Sequence, residues 1–336
     1  MASLAQDTMI PPVAAAPFLA AAGWGDAQIS PLAGDASFRR YFRVTAPGRR
    51  AVLMDAPPPH EDPRPFVEVA RYLQAHGFAA PAILAADVEQ GLVLLEDFGD
   101  ARMAEVIAET PALEEGVYAR AVDLLLDLAS KPAMPGLAPY DMAVCMREVG
   151  LFTEWYAPAL SLEVDQAGFE AAWRAVLAPV ASQGTATVLR DYHAENIMLL
   201  PDSRRSHGLG LLDFQDALAG HPAYDLVSLL QDARRDVSPA VEQAMLARYR
   251  DRTQSSSDFA AAYAVLGAQR NAKIIGIFTR LWKRDSKPRY LEFLPRMWGL
   301  LERDLAHPAL APVAEWFAQN VPAEARGELT MGARYA

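Results

Sequence analysis

The chain has a single cysteine, Cys145, in 336 residues. No internal disulfide can brace it, which fits a reducing compartment, and the cytoplasm is the expected location. Lysine is almost as scarce, with four in all and none before Lys131. Basic residues are outnumbered, 31 against 42 acidic, for a net charge of −11. That balance speaks against a general nucleic-acid or anionic-membrane binder, because both need a basic surface. No stretch approaches about 18 consecutive apolar residues, so no membrane span is expected. The uncharged run from Thr8 to Gly25 has no Lys or Arg ahead of it and is broken by Pro11, Pro12 and Pro17, which does not fit a secretory signal. His207 and His221 lack metal-ligand spacing to a Cys or a second His, so no zinc is expected. Nothing implies an obligate protein partner.

What is present is ordinary for a globular protein: 52% hydrophobic and 22% charged residues, with length for roughly two domains at ~100–200 residues each. From Ile29 to Phe98 short apolar, β-branched and aromatic runs surround one helical pattern. Phe38–Thr45 and Arg50–Met54 flank Pro47-Gly48 and predict a hairpin. A helix carrying Phe66, Val67, Ala70 and Leu73 ends at Gly77. Ile83–Ala86 and Leu92–Leu95 predict two more strands, turning at Gly91. Beyond Gly99 the spacing becomes helical: Leu113 to Leu128, Phe169 to Val180, and a long run from Phe259 to Leu281. Only Thr187–Leu200 and Leu209–Phe214 interrupt it. The expected organisation is a strand-rich part over residues 1–98 and a helical part over 99–336.

The chemistry concentrates in Val188-Leu189-Arg190-Asp191-Tyr192-His193-Ala194-Glu195-Asn196-Ile197-Met198 and, seventeen residues after Asn196, in Leu211-Leu212-Asp213-Phe214-Gln215-Asp216. An acid and an amide five residues apart, then an acid ending a short apolar strand, suit phosphoryl transfer. That reaction wants a carboxylate near the attacking hydroxyl and oxygen ligands for Mg²⁺ on the nucleotide phosphates.

These segments resemble the catalytic loop and metal-binding Asp-Phe element of the aminoglycoside phosphotransferase and protein-kinase-like superfamily. Together with Asp35-Ala36-Ser37-Phe38-Arg39-Arg40-Tyr41-Phe42-Arg43, Leu53-Met54-Asp55-Ala56-Pro57-Pro58, Leu94-Leu95-Glu96-Asp97-Phe98-Gly99-Asp100 and Asp213-Phe214-Gln215-Asp216-Ala217, they resemble the bacterial anomeric sugar kinases that act on N-acetylmuramate and N-acetylglucosamine in cell-wall (peptidoglycan) recycling. The resemblance implies an α+β, bilobal, protein-kinase-like fold, with a small strand-rich N-lobe that binds nucleotide and a large helical C-lobe that carries the catalytic loop and acceptor site. It implies ATP and Mg²⁺, with Asp191 as catalytic base and Asn196 and Asp213 as metal ligands. The turn from Gly34 to Ser37 would lie over the phosphates, and Glu96, Asp97 and Phe98 would be the hinge that meets the adenine. Asp225 would be a structural acid bracing the catalytic loop.

Three departures from the general kinase pattern stand out. Leu189 occupies the place of a loop-bracing His. The Gly34 turn has one glycine where a protein kinase has three. The strand expected to carry a phosphate-binding Lys reads Val52-Leu53-Met54-Asp55, so an Arg is the expected substitute. Strand alternation puts Arg39, Tyr41 and Arg43 on one face, with Arg40 beside Phe38 and Phe42 on the buried face. Which face meets the nucleotide stays open; Arg43 is the first choice and Arg40 the second. A nucleotide-binding pseudokinase is the reading the missing Lys leaves standing.

Only eleven residues separate Asp213 from Asp225, too few for a peptide-docking activation segment, so a small acceptor is expected. From Arg270 to Arg296 eight basic residues face Asp285 and Glu292 alone. A basic face there would favour an anionic sugar over a cationic aminoglycoside or amino alcohol, the alternative acceptor of the same fold. Arg270 and Lys273, three apart on a helix, are the proposed acceptor contacts, with His193 and Glu195 of the catalytic loop. Trp155 and Tyr156 fit core packing better than ring stacking.

Overall fold

A two-residue turn at Pro47-Gly48 lets Arg40–Ala46 and Arg49–Asp55 fold back on each other as β2 and β3, after β1 at Gln28–Gly34. With β4 (Ile83–Asp87) and β5 (Leu92–Glu96) they form one antiparallel sheet in the order β1-β2-β3-β5-β4. The computed structural model describes residues 9–34, 38–181, 183, 186–201, 206–253 and 257–327. Phe42, Val44, Leu53, Leu92 and Leu94 are fully buried and share a core with Leu19 of α1 (Ala15–Ala21) and with Trp24. Alternation supplies this face; each such large side chain contributes about 1.5–3 kcal/mol on full burial. Gly91, at φ +74°, turns β4 into β5 where a Cβ would strike the Ala56 carbonyl, so the position requires glycine. α2 (Arg64–Ala75) buries Phe66, Val67, Val69, Ala70, Tyr72 and Leu73.

The chain packs as two compact units: residues 1–109 with 195–216, and 110–194 with 217–336. The sequence pattern changes after Phe98, but the first unit continues through α3 (Met103–Glu109) and takes in a distant segment. Backbone hydrogen bonds cause this. β7 (Ile197–Leu199) and β8 (Leu209–Leu211) pair with each other. Leu211 N–H then donates to the Ala79 carbonyl at 2.8 Å and Leu199 N–H to the Ala101 carbonyl at 2.7 Å. Pairings between residues 98 and 132 positions apart leave no local pattern.

The second unit is helical: α4 (Glu114–Ala129), α5 (Met142–Val149), α6 (Gln166–Ala181), α7 (Ala223–Leu230), α8 (Pro239–Thr253), α9 (Ser257–Lys283), α10 (Leu294–Leu305) and α11 (Ala311–Asn320). The periodic runs seen in the sequence become α4, α6 and α9. Tyr156 is fully buried, and its hydroxyl accepts from Trp298 Nε1–H at 2.9 Å. One short ribbon joins the strand before Asp191 to the strand after Asp216: β6 (Ala186–Val188) pairs antiparallel with β9 (Leu218–Gly220). Among the described residues no helix is long and apolar enough to cross a membrane.

Candidate active site

In the first unit, β8 ends at Leu211 and delivers Asp213 at φ +57°, a left-handed conformation that Asp tolerates better than most residues. Its neighbours fix it there. Leu212 N–H donates to the Asn196 carbonyl at 2.9 Å, and Phe214 is buried and stacked on Phe66 of α2 with centroids 4.8 Å apart. The Asn196 amide lies 3.4 Å from one Asp213 carboxylate oxygen, and Gln215 Nε2–H donates to the other at 3.0 Å. Asn196 and Asp213 thus meet although seventeen residues separate them. Gln215 Oε1 is buried and has no hydrogen-bond donor among the described residues.

This donor set fits Mg²⁺. The ion takes oxygen ligands, keeps waters, and is held by one or two carboxylates plus substrate phosphates rather than by an all-protein cage. Asp213 and Asn196 supply such oxygens, and Gln215 Oε1 is a further oxygen in want of a partner. Among the described residues no group of three or more His, Cys, Asp or Glu stands where a metal could be held by protein alone.

The residues expected to meet the nucleotide lie in the same unit. Gly34 closes β1, opposite Arg40 in register; Ser37 lies outside the described residues. Glu96 ends β5, and its backbone N–H donates to the Ala82 carbonyl at 2.9 Å. Asp97 is almost fully buried, accepts from Gly99 N–H at 2.8 Å and pairs with Arg43 Nε at 2.9 Å. Phe98 lies over β8 so closely that a Cβ on Gly210 would come within 2.7 Å of its ring.

The arginines are arranged differently from the expectation. Arg43 is held by Asp97 and by Asp100, the latter at 2.7 Å. Against the cost of burial, these carboxylates keep its pKa above the usual guanidinium value. Arg40 Nε–H donates to the buried Asp55 at 2.8 Å, and its Nη1–H to the Ile10 carbonyl at 3.1 Å. Both expected phosphate cations are therefore committed to partners inside the sheet and its rim. Arg39, which alternation placed beside Arg43 but did not select, reaches Asp213 at 3.9 Å and Glu61 at 3.6 Å. Nearby, burial pushes the Tyr41 hydroxyl up to about 12. Phe38 is 63% exposed and stacks on His60 rather than entering the core with Phe42, because β2 begins only at Arg40 and strand alternation does not extend back to Phe38.

In the second unit the loop expected to be catalytic is braced at its start. Asp225, in the first turn of α7, accepts from Leu189 N–H at 2.7 Å and Arg190 N–H at 2.8 Å and is 2% exposed. Burial pushes its carboxyl up to about 7, against the pull of those two donors. Arg190 sits at φ +72°, a costly conformation for a side chain of this size, and its guanidinium pairs with Glu148. Burial opposes the Glu148 charge, yet Lys273 and Arg190 hold its carboxyl below the usual range. Asp191 is half-buried, and its carbonyl accepts from His193 N–H at 3.1 Å. Asp225→Ala should leave two buried N–H groups unpaired, at about 1–3 kcal/mol each. We expect a stability loss of about 2–6 kcal/mol in urea denaturation, together with lost turnover in the fraction that stays folded.

The expected acceptor contacts are scattered. His193 is buried, and burial brings its pKa down to about 4, so the ring is neutral; Nε2 accepts from Arg234 Nη1–H at 3.1 Å. Glu195 is exposed and belongs to the first unit. Arg270 is 4% exposed and donates to Ser228 Oγ at 2.9 Å. Lys273 pairs with Glu148 at 3.1 Å. The basic run is not one face either: Arg284 pairs with Asp285 at 2.7 Å and Arg296 with Asp236 at 2.5 Å. The α9 helix ends at Lys283, so Arg284, Lys287, Arg289 and Arg296 lie beyond it, and Lys283 itself is exposed over the Trp282 ring at 4.0 Å. Gln215, by contrast, went unselected: its place between Asp213 and Asp216 was the available signal.

Residues 28–266 match the model of the phosphotransferase enzyme family. The chain belongs to that family. An N-acetylmuramate/N-acetylglucosamine kinase of Caulobacter vibrioides is 39% identical to this phosphotransferase over 93% of the chain and 97% of the relative. A kinase of the same name from Pseudomonas aeruginosa is 38% identical over 89% and 91%. Among solved structures, the streptomycin-ATP-APH(2″)-IIa ternary complex superposes with a TM-score of 0.58 at 14% identity, covering 90% of this phosphotransferase and 98% of that chain. The likeness establishes the kinase-like α+β fold, with the five-stranded sheet in its smaller lobe and helices dominating the larger.

Proposed function

We propose that this phosphotransferase uses ATP and Mg²⁺ to phosphorylate the anomeric C1 hydroxyl of N-acetylmuramate, N-acetylglucosamine or both, giving the sugar 1-phosphate in the cytoplasm for reuse of cell-wall sugars. The observation that carries the reading is 39% identity along 93% of the chain to a kinase of that name. The meeting of Asn196 with Asp213 supports it from the chemical side.

In this reading Asp191 accepts the C1 hydroxyl proton as that oxygen attacks the terminal phosphorus, and the phosphorus–oxygen bond to ADP breaks. A hemiacetal hydroxyl is more acidic than an ordinary alcohol, so the base has less to do than with a serine acceptor, and positioning and charge carry more of the acceleration. Asp213 and Asn196 hold Mg²⁺, which when bound neutralises charge on the phosphates. Glu96, Asp97 and Phe98 present the backbone that receives the adenine. Asp225 keeps the loop in place by holding two of its N–H groups. Within the Arg270–Arg296 run, Arg270 and Lys273 turn to Ser228 and Glu148, whereas Lys283 and Arg289 stay exposed.

The test is a panel of N-acetylmuramate, N-acetylglucosamine, an aminoglycoside and an amino alcohol with ATP and Mg²⁺, with products assigned by proton and phosphorus NMR. The expected product has phosphorus coupled to the anomeric proton and no reducing end. Phosphate on another hydroxyl would refute the C1 assignment. Turnover confined to the cationic acceptors would refute the sugar, and nucleotide binding without turnover would leave a pseudokinase.

A further inference from the structure

We propose that Arg39 is the phosphate-binding cation of this phosphotransferase, transferred from the third strand, where protein kinases carry a Lys, to the entry of the second. The inference rests on the nucleotide-binding part of the function proposed above and goes further by assigning the residue. The argument starts from a need. Protein kinases meet the ATP phosphates with a Lys on β3, itself braced by a Glu. Here β3 reads Arg49-Arg50-Ala51-Val52-Leu53-Met54-Asp55, and the position opposite Arg40 is an acid. With no Lys before Lys131, the first unit has only arginines to offer.

Geometry separates them. Arg40 is taken by the buried Asp55 and the Ile10 carbonyl. Arg43 is taken by Asp97 and Asp100. Arg49 donates to the Gly23 carbonyl and lies over the Trp24 ring with its guanidinium carbon 4.0 Å from the centroid. Arg50 is half exposed, and its nearest carboxylate is Asp97 at 3.8 Å. Arg39 alone among these five stands against Asp213, the proposed metal ligand, at 3.9 Å, with Glu61 on its other side at 3.6 Å.

Arg39 is also placed for a polyphosphate. It lies five residues after Gly34, the end of β1, and one residue before β2 begins. Its side chain is only 11% exposed while Asp213 remains 43% exposed, so the cation is aimed from a partly desolvated wall toward an accessible carboxylate. Both ion-pair distances exceed those of Arg43 and Arg40. Glu61, at 3.6 Å, stands where the acid of a Lys–Glu pair would, and Tyr41 adds a side-chain hydrogen bond to the same guanidinium. A planar guanidinium also meets phosphate through two parallel N–H donors, which an ammonium does not.

The experiment is a titration of ATP and of adenosine, with Mg²⁺ and without acceptor, into wild type, Arg39→Ala, Arg39→Gln and Arg43→Ala. Wild type should prefer ATP over adenosine. Both Arg39 variants should lose about 10–100-fold in ATP affinity, the usual size of one or two hydrogen bonds to a charged group, with adenosine affinity unchanged. Adenosine binding reports that the variant is folded. Should the alanine variant fail to fold, the glutamine variant, which keeps much of the side-chain length without the charge, is read in the same way. ATP affinity unchanged in a folded Arg39 variant overturns the assignment, and so does loss of the ATP preference in Arg43→Ala alone. If wild type itself does not bind ATP, the nucleotide reading fails, a result distinct from either.

Discussion

Replacing Asp191 with Asn should lower kcat by about 10²–10⁴-fold, the usual contribution of a positioned general base, with ATP affinity unchanged within a few-fold. The amide keeps the shape of the carboxylate but cannot take a proton from the acceptor. The hemiacetal acidity of the proposed acceptor puts the effect toward the lower part of that range. The loop is also held elsewhere, since Asp225 grips the N–H groups of Leu189 and Arg190, and a thermal melt reads any loss of fold. Asp191 also raises the Asp225 pKa by like-charge repulsion, so neutralising it should leave the melting temperature unchanged or slightly higher. Single-turnover kinetics beside a thermal melt separate these quantities. A folded variant with kcat within tenfold of wild type would remove Asp191 from the role of base.

The parts of the molecule that could be found in the sequence are those whose cause is local. The Pro47-Gly48 hairpin, the α2 helix ending near Gly77, the Gly91 turn and the helical periods of α4, α6 and α9 all follow from residues within a few positions of one another. The acid–amide–acid spacing was visible too, and Asn196 and Asp213 do meet because two three-residue strands, β7 and β8, pair just beside them. What local pattern could not supply was the choice among charged partners. Arg43 meets Asp97 across 54 positions and Arg39 meets Asp213 across more than 170. In each case the alternative partners have the same charge and comparable strand geometry. The basic count from Arg270 to Arg296 mixes different fates for the same reason: Arg270 turns inward to Ser228 and Lys273 to Glu148, while Lys283 and Arg289 stay exposed. Net charge along a sequence window says little about a surface until each charge has been matched with what it touches. The continuation of the first unit into residues 195–216 is likewise a matter of hydrogen bonds to Ala79 and Ala101.

The second large effect is expected at Asp213. Asp213→Asn should abolish the Mg²⁺ enhancement of ATP affinity, so that titrations with and without the metal coincide, and should lower kcat by about 10²–10³-fold, since metal charge on a transferring phosphoryl group is worth several kcal/mol. Asn is the informative replacement, because the residue sits at φ +57°. Alanine would add left-handed backbone strain of about 1–2 kcal/mol, confusing a lost ligand with a displaced loop. Asn tolerates that conformation and keeps the volume. The supports around the position do not depend on its charge: Phe214 remains stacked on Phe66, and Leu212 remains bonded to the Asn196 carbonyl. Stability should therefore hold while metal dependence disappears. The variant also removes the negative charge facing Arg39, which leaves the guanidinium more available to phosphate, so metal-free ATP affinity should be equal to or slightly above that of wild type. A rise without metal together with a loss of metal response is the pattern expected of a carboxylate that faces both the phosphates and the ion. An Asp213→Asn protein that still binds ATP more tightly when Mg²⁺ is added would place the metal on other oxygens and break the link between this residue and the chemistry.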